Sequence, residues 1–76
     1  PEIETADCLA AALRRLEIAP LPDVVVLDLN LPDVTGLDGL VRLRLSAAGV
    51  PVVVVSSLAD NRVVGAALRS GAAGFI

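Results

Sequence analysis

Two short apolar runs constrain this chain more than any other feature. Val24-Val25-Val26-Leu27 and Val52-Val53-Val54-Val55 are apolar at every position rather than at alternate ones. That is the pattern of β-branched strands buried between two layers of a parallel sheet. Each run stops at polar residues, Asp28 after the first and Ser56-Ser57 after the second. Between them, Leu37 to Ser46 reads as a helix with Leu37, Leu40, Val41 and Leu45 facing inward, broken at Gly49 and followed by Pro51, which opens the second strand.

The flanks repeat this alternation. Glu2 to Ala6 alternates like an exposed edge strand, and Asp7 stands where a helix N-cap belongs. Leu9, Ala12, Leu13 and Leu16 then form one apolar stripe, ended by Pro20 and Pro22. A third helix is predicted from about Asp60 to Ser70 with Val63, Val64, Ala67 and Leu68 on its core side, Gly71 at its cap, and another strand beginning at Gly74-Phe75-Ile76. Strands separated by single helices indicate βαβ crossovers, hence an α/β fold with a parallel sheet and flanking helices. In such sheets function concentrates at the carboxyl ends of the strands, where Asp28, Asn30, Ser56 and Ser57 fall.

Composition narrows the function classes. The 76 residues allow one small domain. With 55% hydrophobic residues and a mean hydropathy of +0.79, the chain is too apolar for disorder and unusually apolar for a self-sufficient domain, so apolar surface needing cover is expected. The longest apolar stretch, Val50 to Val55, is far shorter than the roughly 20 residues of a membrane-spanning helix. The chain opens at Pro1 and contains no Met, which places the natural start elsewhere. A lone Cys8 and the absence of His exclude an internal disulfide and a Cys/His zinc site, and fit a cytoplasmic setting. The net charge is −3 and the six cations are dispersed arginines without a stacking aromatic nearby, which argues against direct nucleic-acid binding.

A carboxylate at the end of a buried strand is a candidate nucleophile, although such an acid alone is more often a cap, a loop hydrogen-bond acceptor or a solvated group. The surrounding pattern decides. Val24 through Gly36 places a Pro four residues after Asp28 and a Gly eight residues after it, and this segment resembles the phosphoacceptor segment of bacterial response-regulator receiver domains. Pro51 through Ser56 resembles the family's next strand with its switch hydroxyl, and Gly71 through Ile76 the entry to its last strand. The resemblance covers essentially the whole chain and is nearest to receivers of LuxR/NarL-type regulators with a helix-turn-helix output domain.

The resemblance implies a flavodoxin-like (CheY-like) fold, with residues 1–76 spanning the second strand through the start of the fifth in the strand order 2-1-3-4-5. It implies that Asp28 accepts a phosphoryl group from a histidine kinase and that Mg²⁺ binds the Asp28 carboxylate and the main-chain carbonyl of Asn30. It makes Ser56 the switch hydroxyl and Phe75 the switch aromatic, which would otherwise read as a strand-end hydroxyl and a core ring. Two family features depart. The acidic pair ending the first strand, which completes the Mg²⁺ site, and the Lys following the position of Ile76 are not within these residues; the chain contains no Lys. Asp33 reads as a solvated loop acid and is not assigned as a ligand.

Three functions follow. The first is a non-enzymatic receiver module, switched by phosphorylation at Asp28, whose partners are a histidine kinase and an output domain or another receiver. The second is a truncated or degenerate receiver acting only in dimerisation or protein interaction, with bare sheet faces that favour a homo-oligomer. The third is a haloacid-dehalogenase-like phosphatase, disfavoured because Asn30 stands where those enzymes carry a second Asp, and Pro32 stands where they carry a small hydroxyl or branched residue.

Overall fold

A computed structural model of the chain describes residues 3–56 and 61–76. Its elements run α1 (Leu9–Arg15), β1 (Val25–Asp28), α2 (Asp38–Ser46), β2 (Val52–Val55), α3 (Asn61–Arg69) and β3 (Gly74–Phe75). The strands form one sheet in the order β1-β2-β3, parallel throughout. Val25 pairs with Val52 and Asp28 with Val55, so the carboxyl ends of β1 and β2 lie side by side.

Paired residues of a parallel ladder share a face, and one face carries the core. Leu27, Val52 and Val54 are buried there with Leu40 and Leu43 of α2 and Ala67 of α3. Leu9 and Leu16 close the same cluster at the two ends of α1, which packs on α2. On the opposite face Val24 and Val26 remain 48% and 60% exposed. The expectation that β1 is buried between two layers is therefore corrected: its apolar character on both sides is present, but only one side is covered.

Three local expectations also change. Residues 3–6 form no strand, because β1 pairs only with β2 and offers them no ladder within this chain; Glu2 lies outside the described residues. The N-cap of α1 is Cys8, not Asp7. Cys8 is extended and its Sγ accepts from the Ala11 amide at 3.4 Å. The inward stripe of α2 is Gly39, Leu40 and Leu43, whereas Leu45 is 80% exposed and Val41 faces largely outward. Gly39 shifts the face, since a Cβ there would come within 3.3 Å of the Val34 methyls and 3.5 Å of Leu9. Lacking one, α2 lies against the start of α1.

The end of α3 follows the predicted cap. Gly71 sits at φ +101°, a left-handed conformation open to glycine. The Ala72 amide donates to the Ala67 carbonyl and the Gly71 amide to that of Leu68, the two bonds of a Schellman motif. Arg44, in the last turn of α2, donates to the Ser70 carbonyl at 3.1 Å and so joins the two helices.

Candidate functional site

The site is assembled at the carboxyl end of the sheet because parallel pairing brings the ends of β1 and β2 together. Asp28 is the last residue of β1 and is exposed, while Ser56 follows β2 directly and is half-buried. The Leu29 amide donates to the Val55 carbonyl at 3.0 Å, which fixes the start of the loop against the end of the neighbouring strand. Ser57 and Asp60 lie outside the described residues.

The loop after Asp28 is a chain of turns. One Asp28 carboxylate oxygen accepts the Asn30 amide at 2.8 Å, the short-range bond that aspartate characteristically makes to backbone two residues on. Leu31 donates to the Asp28 carbonyl, Val34 to that of Leu31 and Asp38 to that of Thr35. Gly36, at φ +55°, turns the chain into α2. Asp28 thus accepts a loop hydrogen bond, one of the roles open to a strand-end acid.

Beside this loop lies an open groove of about 510 Å³. Asn30, Gly36 and Leu37 line it on the loop side, Ser56 at the strand end, and Arg62 and Val63 from the first turn of α3. Phe75 is not in the groove. It pairs with Val54, two positions before Ser56, and packs against the core cluster half-buried.

Two residues contribute in ways the sequence did not announce. Arg62 lines the groove from the first turn of α3, and its sequence signal is no more than its position six residues after Ser56. Asp33, exposed as expected, also accepts the Leu9 amide at 2.6 Å and the Ala10 amide at 2.9 Å with its two oxygens. Those bonds, the Leu9 amide first, hold its carboxyl below the ordinary aspartate range, with the nearby Arg42 charge contributing in the same direction.

Asp28 and the backbone of Asn30 offer hard oxygen donors, which suit Mg²⁺ in kind. In number they supply only part of a coordination shell, and no group of three or more His, Cys, Asp or Glu gathers among the described residues. No helix among them is long and apolar enough to cross a membrane.

Comparisons with known proteins agree with this arrangement. The family model described as the response regulator receiver domain matches residues 1–76. The glycerol metabolism activator of Pseudomonas putida is 46% identical over 74 residues, covering 97% of this chain and 33% of that protein. The transcriptional regulatory protein KdpE of Mycobacterium tuberculosis is 43% identical over 77 residues, covering 99% and 32%. The chain therefore spans about a third of the length of these relatives. The signal receiver domain of the response regulator NarL from Mycobacterium tuberculosis superposes with a TM-score of 0.75 at 37% identity, over 92% of this chain and 56% of that one. Receiver domains are signalling modules of two-component systems that work with histidine kinases and output domains and generally bind Mg²⁺ at the phosphorylation site, although a methylesterase among the relatives shows that one can be joined to an enzyme. Parallel strands, one ending at Asp28 and the other followed directly by Ser56, and agreement along the whole chain lead to one conclusion: this chain belongs to the response regulator receiver domain family.

Proposed function

We propose that Asp28 is the phosphoacceptor of a two-component phosphorelay. The observation that carries this reading is the register of β1 and β2, which sets Asp28 and Ser56 at the same end of the sheet, where Leu29, Asn30 and Ser56 line the groove. An Asp28 oxygen attacks the phosphorus of a phosphohistidine on the partner kinase. The new O–P bond forms as the N–P bond breaks, and the imidazole leaves with the electron pair. The Asp28 carboxylate and the Asn30 main-chain carbonyl would hold Mg²⁺, which would screen the charge of the transferring group.

Ser56 donates its hydroxyl to a phosphoryl oxygen and draws its loop inward, and Phe75 changes position with it, passing the change to an output domain. This role requires the Phe75 ring to give up part of its packing against the core. The chain represents the family pattern from the region of its second strand to the start of its fifth and works in the cytoplasm, with a kinase as donor.

Intact mass after incubation with Mg²⁺ and acetyl phosphate tests the reading. One phosphoryl group is expected on the wild type and none on Asp28→Asn. An unmodified wild type, with a complete receiver phosphorylated in parallel, would rule out acceptor function for this chain.

A second reading, association without phosphorylation, is favoured by the open sheet face bearing Val24 and Val26. It takes a second copy as partner and predicts that Asp28→Asn leaves association unchanged in sedimentation.

A further inference from the structure

We propose that Asp33 is a positioning residue for the phosphoacceptor loop, acting by bridging that loop to the first turn of α1. The inference rests on the reading of Asp28 as the acceptor and names a residue that tunes the same site from outside the groove. Both Asp33 oxygens are committed, one to the Leu9 amide and one to the Ala10 amide. These partners lie 24 and 23 residues away in sequence, so the bridge joins two parts of the fold rather than closing a local turn.

The clamp is backed by packing directly beside it. Leu9 is 1% exposed, and Gly39 brings its side chain and the Val34 methyls together at the start of α2. The loop is thereby pinned at its far end by Asp33 and Val34 and at its near end by the Leu29 to Val55 bond. Between the pins the chain has little freedom. The Leu31 to Asp28 and Val34 to Leu31 bonds form consecutive turns, and Asn30 sits inside the first of them.

Two charge-assisted bonds to the amides of α1 hold more firmly than neutral ones. They also satisfy two of the amides that a helix start leaves without an internal partner. The side chain of Cys8, the residue in the N-cap position, serves the Ala11 amide. Removing Asp33 therefore frees the loop from α1 while leaving the Asp28 carboxylate and the Asn30 backbone chemically intact. Geometry at the site is lost without loss of any group that touches the phosphoryl.

The test compares Asp33→Ala, Asp33→Asn and Cys8→Ala in the protein. Cys8→Ala weakens the same helix end without touching the loop. For Asp33→Ala the Mg²⁺ concentration giving half-maximal phosphorylation by acetyl phosphate is expected to rise about tenfold, the low end of the cost of losing a group that orients a ligand. Asp33→Asn, which keeps one acceptor oxygen, restores part of that loss, and Cys8→Ala leaves the Mg²⁺ dependence unchanged. Amide NMR without metal or phosphate supplies the second readout: the Asn30 resonance moves in Asp33→Ala and stays in place in Cys8→Ala. Equal effects of the two alanine variants, or an unmoved Asn30 amide, would overturn the proposal. Should the wild type fail to accept a phosphoryl group, the NMR comparison still decides whether Asp33 positions the loop, separately from the acceptor reading.

Discussion

A methyl group at position 71 would meet two obstacles at once. The backbone there is left-handed, and a Cβ would overlap the Arg44 guanidinium that reaches Ser70. Gly71→Ala is therefore expected to destabilise the fold by about 1–2 kcal/mol from the backbone alone, read from the midpoint of urea unfolding. Adding Arg44→Ala recovers the steric share and leaves the backbone share in place. The glycine cap was legible in the sequence because Gly after an apolar-periodic segment has a local cause. Arg44 was not legible, since its partner belongs to another helix 26 residues on. Asp33 is exposed, as its sequence surroundings suggest, but its bonds to the Leu9 and Ala10 amides were not legible for the same reason: these partners become visible only when α1 and the loop are packed together.

The first helix shows how such a long-range bond carries over to an entire element. Its N-terminal amides depend on a carboxylate that must be ionised to accept both. A folded-state pKa below the unfolded one means that ionised Asp33 stabilises the fold. That stabilisation is fully present above the unfolded value, about 4, and is lost as pH falls through the folded value. Acid titration is expected to loosen the Leu9 and Ala10 amides, seen as faster hydrogen exchange, below pH about 4 in the wild type. No such pH-linked change is expected in Asp33→Ala. Apart from the edge strand expected at the start of the chain, which residues 3–6 do not form, element types were readable from periodicity, and α1 kept its predicted stripe: Leu9 and Leu16 are buried and Ala12 and Leu13 pack beside them. The face of α2 was misassigned because its apolar residues surround the helix. Val41 and Leu45 compete with Leu40 and Leu43, and the buried Gly39 carries no hydrophobic signal.

For the molecule as a whole, the alternation of strands and helices was enough to read the parallel sheet, whereas the layering was not. Apolar residues on both sides of β1 imply two covers, yet the fold supplies one. The surface reflects this. A monomer of 7.7 kDa should expose about 4,300 Å², and this chain exposes 5088 Å². If copies associate through the open face, Val26→Asp, at a position already 60% exposed, should lower the sedimentation coefficient at high concentration while leaving the urea midpoint nearly unchanged. An unaltered coefficient would place any association elsewhere.

The valines of β2 have a further consequence for the site. Four identical residues give the strand only a weak internal reading frame: sliding it by two positions exchanges valine for valine at two of the four sites and brings Ser56 and Ser57, or Val50 and Pro51, into the other two. Such a slide would carry Ser56 about 6.6 Å along the sheet, out of step with Asp28. What prevents it is punctuation at the two ends, the Val25 amide on the Pro51 carbonyl at 2.9 Å and the Leu29 amide on that of Val55. The placement of Asp28 beside the end of β2 is thus held by main-chain bonds that bracket the strand rather than by the identity of the valines between them.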